Sequence, residues 1–508
     1  MSSTESMIDE DTFCTWIGLQ TSSSKKYLHK QLSDWKSDAT KLVKLSKRFK
    51  RFKDAFEKDP RFFGECYDIF KDISEIEKKL NGLLSHESQL EKESYNELLF
   101  FRPILQPLNF VPFLLTCWSF LRVYLLPGLS LLIPIFTLIA PYIILNFVFR
   151  LPITFQNYTN ILHSMVSGDF TRGIESDPSS VTIQPAQLLK KFGILFVTFI
   201  QGIVQPYWSY KHLHSIDEII VEHGTLIKRF RDKYLALQSI LDSHGFTFFR
   251  CPLPNIQSER DATARAILES SYFKMALKYV GSLEVVMTLA NNKDIHPVKW
   301  VTSSTPLLVI NDTFDFQVPE ASRKAISVSF TTKRHALLTG PNKGGKSTVL
   351  RALTVSALLA HTYGCSIGHA RMTPFSTMFV CLKPDDLPGS KSRFEREIEF
   401  TAKTLEQQKP VLVFIDELYH STNPPDALRS CNIYCDPLWK KENIVSVIST
   451  HLFELVEKAN DSIQRLCCSA SIDEKGDIHF DYTLSNGICK VSSVDELLKR
   501  NGLLQKNQ

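Results

Sequence analysis

The sequence predicts an α/β domain at its C-terminal end, behind an all-α N-terminal part that carries a hydrophobic helical hairpin. Three observations predict it. From about residue 299, short apolar runs such as 306–310 and 336–338 begin a strand–helix alternation. Residues 24–100 and 211–292 instead place apolar side chains at threes and fours, as with Leu42, Leu45, Phe49, Phe52 and Phe56. Between Pro103 and Phe149 the single charged residue is Arg122, a texture suited to hydrocarbon.

The 508 residues exceed what one core usually serves. With 44% hydrophobic and 22% charged residues the chain is neither disordered nor a disulfide scaffold. A net charge of +5 is too mild to establish nucleic-acid binding by itself. The 11 cysteines lack paired spacing, which points to reduced thiols. Cys431 and Cys435 with Cys467 and Cys468 have no CxxC or histidine companion, so no zinc cluster is expected. The first 24 residues show no apolar core or cleavage site of a secretory signal.

Five segments follow in order. Residues 1–105 form a basic helical region, with twelve Lys/Arg against four Asp/Glu over 25–58, a face fit for phosphate or anionic lipid. Residues 106–150 are expected to be a transmembrane helical hairpin, because the uncharged run 123–149 is too long for one pass and Pro127 with Gly128 is a turn signal. Its arms would be 109–126 and 129–149, kinked at Pro134 and Pro141, with Arg122 snorkelling near the turn. Residues 151–210 combine a polar linker (156–184) with an apolar stretch, 192–210. Gln201, Gln205 and Pro206 and the flanking Lys190, Lys191 and Lys211 make that stretch an interfacial or core helix. Residues 211–298 are a helical lever or connector, and 299–508 the α/β domain.

Chemistry concentrates in that last segment. Gly340, Pro341, Asn342, Lys343, Gly344, Gly345, Lys346, Ser347 and Thr348 spell GxxxxGK[ST] after an apolar strand and before a helical run. This is the setting of a P-loop NTPase, whose glycines let backbone N–H groups cradle phosphates at a helix N-terminus. Lys346 would neutralise β/γ-phosphate charge, and Ser347 would hold Mg²⁺. The buried-strand run 411–415 ends in Asp416 and Glu417, the Walker B arrangement: Asp416 for Mg²⁺, Glu417 to orient and polarise water. A second strand, 444–448, ends at Ser449, Thr450 and His451, which places His451 as a γ-phosphate sensor. Phe63, Gly64 and Glu65 form a Phe-x-Glu pattern within a helical, Lys-rich context.

The order and wording of these motifs resemble the ATPase domain of the MutS mismatch-repair family, itself related to ABC-type ATPases. The likeness runs from Thr339 to Thr348, through Gly364 to Ala370, through Asp385, Asp386 and Leu387 to Glu397, and through Ile415 to Leu418 with Ser421, Thr422 and Asp426. It continues through Thr450 and His451 to Phe480–Leu484 with Gly487, and to residues 497–502. It implies an ATP- and Mg²⁺-dependent hydrolase whose ATPase domains pair, as a homodimer or with a paralogue. Ser392, with Phe394 and Glu397 in phase, matches the serine that closes the partner subunit's nucleotide. Tyr419, His420, Ser421 and Thr422 stand where the family has GRGT, and no adenine contacts are assignable. Only about 100 residues precede the expected hairpin, so a mismatch-reading domain is not expected there, and the layout resembles short, membrane-bearing MutS-like proteins.

The expectation is therefore a membrane-anchored MutS-like Mg-ATPase that dimerises with ATP and grips double-stranded DNA through phosphates, its ATPase domain on the cytosolic or nuclear side. The alternatives are a membrane-associated ATPase switch or scaffold acting on lipid or protein without DNA, and a degenerate switch without hydrolysis. Glu417 argues against the last.

Overall fold

A computed structural model of the chain describes residues 8–84, 94–160, 200–246, 252–382, 392–472 and 478–491. Lys190 and Lys191, most of the expected linker, Asp385 to Leu387 and residues 497–502 lie outside them. The helices are α1 (Glu10–Ile17), α2 (Ser22–Leu32), α3 (Ala39–Lys58), α4 (Pro60–Leu84), α5 (Pro112–Phe120), α6 (Leu126–Ile143), α7 (Gln205–Ser243), α8 (Glu259–Leu268), α9 (Ser270–Asn291), α10 (Lys346–Tyr363), α11 (Arg393–Leu405), α12 (Pro424–Leu438) and α13 (Phe453–Lys458). The strands are β1 (Ile295–Pro297), β2 (Lys299–Trp300), β3 (Leu308–Thr313), β4 (Ile326–Phe330), β5 (His335–Thr339), β6 (Cys365–Ile367), β7 (His369–Met372), β8 (Thr377–Cys381), β9 (Val411–Ile415), β10 (Ile444–Ser449), β11 (Ile463–Ile472) and β12 (Ile478–Asn486).

The chain divides into two compact units rather than the five expected segments: residues 1–74, 237–248 and 277–508, and residues 75–236 with 249–276. The borders of these units fall inside α4, α7 and α9.

The first unit holds the mixed α/β domain. Its main sheet runs β12-β11-β5-β10-β9-β8, parallel from β11 to β8 with β12 antiparallel at one edge. Strands covered on both faces read as continuous apolar runs; every residue of β5, β9 and β10 is buried. A four-stranded sheet has the order β2-β7-β3-β4.

The basic N-terminal helices are part of this unit and not a separate region. In α3 the buried Leu42, Ser46, Phe49, Phe52 and Phe56 make one face, while Lys41, Lys44, Lys47, Lys50, Arg51 and Lys58 remain exposed. The buried face meets the α/β domain. Ser46 donates to Gly364 O at 2.7 Å and accepts from Trp300 Nε1 at 2.8 Å. Phe63 packs on Phe56 and Tyr67, with ring centroids at 5.5 and 5.6 Å, inside helix α4.

Two buried histidines tie this unit together. His361 stacks on Trp35 at 3.9 Å, and its Nδ1–H donates to Lys36 O at 2.7 Å. His335 accepts from Ser446 Oγ at 2.8 Å, which leaves Nε2–H facing Lys441 O at 3.3 Å. Burial lowers both rings to a pKa of about 4. An unfolded histidine takes a proton below about pH 6.5, so the unfolded state binds more protons between about 6.5 and about 4. Stability is therefore complete above that window and lost as pH falls through it, by up to ~1.4 kcal/mol per pH unit for each ring. Melting temperature measured across pH 4 to 7 should fall toward acid, and His361→Leu should flatten the slope.

The second unit corrects the expected hairpin. Residues α5, a π-helical turn Leu121–Leu125, α6 and a second π-helical turn Ile144–Val148 follow one another without a break, so no turn forms at Pro127 and Gly128. Proline removes one N–H and crowds the carbonyl four residues back. The π turn just before Pro127 widens the ladder there, and Leu126 N–H bonds Leu121 O instead. The partner of this helix is the long helix that begins with the π turn Ile200–Val204 and continues as α7. The two run antiparallel: Ser119 meets Asp217, Tyr124 meets Tyr210 and His214, and α6 meets Ile200–Val204. The described part of the second apolar stretch is thus one arm of the pair, continuous with the expected lever. Arg122 does not snorkel at a turn; it pairs with Glu97 and lies over Trp118. Leu115, Val123, Leu213, Ile216, Ile220 and Ala264 form a local core, fastened by Arg260, which holds Asp217 through two bonds at 2.8 and 2.7 Å.

Candidate functional site

The site stands where the main sheet's central strands end. Strand β5 delivers the chain into the loop 340–345, and α10 leaves it at once. The backbone needs left-handed or open conformations here: φ is +148° at Gly340, +65° at Lys343 and +102° at Gly345. A side chain on Gly340 would also press on Cys468, with Cβ contacts at 3.1 Å. Gly345 caps α10 without a side chain, leaving the first N–H groups of that helix directed at the loop.

Lys346 is buried, and its ammonium donates to Gly340 O at 3.0 Å and Pro341 O at 3.2 Å. Burial lowers its pKa, opposed by Glu417 and Asp416 nearby. Ser347 Oγ donates to Asp416 Oδ2 at 2.5 Å. The other oxygen of Asp416 accepts from Ser449 Oγ at 2.5 Å, and Ser449 Oγ in turn accepts from Glu417 N at 2.8 Å. Strands β9 and β10 are in register neighbours, which is why the two strand ends meet. Glu417 itself has φ +53°, a left-handed residue that turns the chain just past β9. Its carboxylate faces His451 Nε2 at 3.2 Å. That contact, with help from His420 and Lys346 and against desolvation, pulls the Glu417 pKa down to about 2.

A cavity of about 640 Å³ opens over this group, within the range of small-molecule sites. Residues 341–348, Asp416 and Glu417 line it at one end. Phe314, Val318, Arg323, Ile326 and Tyr482 line it elsewhere. The donor set suits a nucleoside triphosphate with a hard cation: buried ammonium and helix N–H groups for phosphate, hydroxyl and carboxylate oxygens for Mg²⁺.

Of the expected residues, Pro341 to Thr348, Asp416 and Glu417 converge on this cavity, with Gly340 contributing its carbonyl to Lys346 and His451 reaching Glu417. Ser392 does not join them. It is exposed and N-caps α11, accepting from Glu395 N at 3.2 Å in a capping box. Helix α11 is nonetheless tied to the segment after Glu417. Glu397 takes Arg393 at 3.1 Å and Ser421 Oγ at 3.2 Å, and Thr401 bonds Tyr419 Oη at 2.6 Å.

Sequence reasoning missed Ser449 as a site residue, and also Phe314, Arg323 and Tyr482. Ser449 carried a signal, its place beside His451 at a strand end. Tyr482 lies within the Phe480–Leu484 stretch of the resemblance, whereas Phe314 and Arg323 carried none, each being a single side chain brought in by a remote loop. Arg323 lies over Phe314 at 4.7 Å and over Trp16 of α1 at 5.8 Å.

Fold and geometry together define a mixed α/β domain with a cavity at its strand ends lined by Lys346, Ser347, Asp416 and Glu417. Residues 336–498 match the family model described as MutS domain V. The match covers about a third of the chain and supports kinship with MutS proteins, whose ATPase domain it represents.

Proposed function

We propose that this protein is a MutS-like Mg²⁺-dependent ATPase, membrane-anchored, that pairs through its nucleotide sites and grips duplex DNA without reading mismatches. One observation carries the reading: Lys346, Ser347, Asp416 and Glu417 line one cavity, where Ser347 bonds Asp416 at 2.5 Å and His451 reaches Glu417 at 3.2 Å. Lys346 exchanges its two loop carbonyls for β/γ-phosphate oxygens. Ser347 and Asp416 would hold Mg²⁺, which would neutralise developing phosphate charge. Glu417, kept ionised, orients water, and His451 fixes the Glu417 carboxylate and meets the γ-phosphate. Phe314 and Tyr482 hold the base. Ser392, exposed on a helix wired to Tyr419 and Ser421, closes the partner's nucleotide, so that closure reaches the segment beside Glu417.

DNA is proposed as cargo because α3 presents six exposed basic side chains along one helix, a phosphate-gripping but not base-reading surface. A second reading, an ATPase switch on lipid or protein, is favoured by the exposed apolar side chains of α6. The ATPase domain is placed on the nucleotide-rich side of the membrane.

Sedimentation of the purified protein with and without Mg-ATP tests pairing, and duplex titration at about 50 and about 200 mM salt tests cargo, since several phosphate contacts weaken binding by orders of magnitude between them. An ATP-dependent dimer with salt-steep DNA binding is expected. Full turnover by a strict monomer overturns the pairing, and absent DNA binding at low salt leaves the lipid or protein switch.

A further inference from the structure

The apolar helix changes character along its length. Up to Val123 it is packed on protein: Leu115, Ser119 and Val123 are buried against α7 and α8, among the ion pairs Arg122–Glu97 and Arg260–Asp217. Beyond it most of the described side chains are exposed, Ile133 and Phe136 at 57% and 63%, while Pro127 is buried. The change falls at a ring of amphipathic side chains. Tyr124 lies 5.9 Å from Tyr210, Tyr210 stacks on His214 at 5.5 Å, and Lys211 sits over the exposed Trp208 at 5.5 Å. Such rings with adjoining cations mark a membrane–water interface.

A second ring follows further along the same helix. Tyr142 meets Phe155 and Tyr158, each at 5.3 Å. Past it the exposed apolar side chains Ile143, Ile144, Phe147, Val148 and Phe149 lead up to Arg150, itself exposed at φ +49°, and Asn146 bonds Ile153 O at 2.9 Å. Tyr124 and Tyr142 are 18 positions apart in the numbering, about 27 Å of helix at ~1.5 Å per residue, close to the ~30 Å hydrocarbon layer.

We infer that the bilayer is crossed between these two rings, so that residues 150–160 emerge on the face opposite to the Glu97–Arg122 and Asp217–Arg260 network. This rests on the membrane reading and deepens it: the apolar segment crosses once before residue 150, rather than turning back at Pro127 and Gly128 to put residue 150 on the starting side. The occupant of the exposed face is lipid. A protein groove would not place two aromatic rings one hydrocarbon thickness apart, each beside a cation or polar turn.

The test uses the full-length protein with Cys117, the exposed described cysteine, changed to Ser, and one new cysteine at an exposed position, Asn157→Cys or Thr225→Cys. Sealed vesicles are treated with a membrane-impermeant maleimide before and after lysis, and the membranes are first washed with alkaline carbonate. The two positions should label in opposite order, one at least about tenfold faster before lysis and the other only after it. Equal labelling of both before lysis, from carbonate-resistant protein, overturns the crossing while leaving the membrane anchor standing. Release of the protein by carbonate overturns the anchor itself and points to a protein partner on the exposed face.

Discussion

Glu417→Gln binds ATP within about threefold of the parent yet turns it over ~10²–10⁴-fold more slowly, the usual worth of a positioned base. The substitution keeps the shape of the side chain and its reach toward His451, 3.2 Å away, while removing the charge. In the parent that charge is secure. With a pKa of about 2, set first by the His451 hydrogen bond, the carboxylate is ionised throughout the neutral range. The proposed phosphate contacts do not run through it: the loop 340–345, Lys346 and the start of α10 are held by β5 and by their own backbone bonds. Parallel measurement of nucleotide affinity and single-turnover rate separates the two halves. Unchanged turnover would remove Glu417 from the chemistry and leave the water to another group.

Gly364→Ala unfolds or strongly destabilises the first unit. Gly364 ends α10 at φ +75°, where a β-carbon costs roughly 1–2 kcal/mol on its own. Here it would also stand 2.4 Å from Ser46 N and 2.7 Å from Leu45 C, both backbone atoms of α3 that cannot swing aside. The carbonyl of Gly364 further accepts from Ser46 Oγ at 2.7 Å and from Val298 N at 3.0 Å, so any retreat of α3 breaks the seam. We expect a loss of at least about 3 kcal/mol, in the range reserved for core collisions, read by chemical denaturation. Ser46→Ala should cost less, about 2 kcal/mol for its two hydrogen bonds, one to Gly364 O and one from Trp300 Nε1. Equal effects of the two would show that the hydrogen bond rather than the close approach secures α3.

Much of the α/β domain was legible because its signals are local. A phosphate-loop spacing, the all-buried run of β9 and the strand end at His451 are each contained in a few consecutive residues, and strands buried on both faces advertise themselves as unbroken apolar runs. The helical hairpin failed for the opposite reason. Pro127 and Gly128 are a turn signal by local chemistry, but a π turn at Leu121–Leu125 absorbs the proline, and the true partner of the apolar helix, α7, lies some eighty residues further along the chain. The basic helix α3 was read by its charges, whereas its packing depends on Ser46 and on Gly364, a pair no spacing rule connects. Phe314 and Tyr482 share a cavity only because β3, β4 and β12 fold around the loop 340–345.

The wall of that cavity has a backing. Trp16 lies 6.1 Å from Phe314 and 5.6 Å from Phe316, and Arg323 spans Trp16 and Phe314. An indole placed one layer behind a ligand-facing ring is an optical gauge supplied by the chain itself: any shift of the ring or of the guanidinium when the cavity fills changes the field the indole feels, and so the colour of its emission.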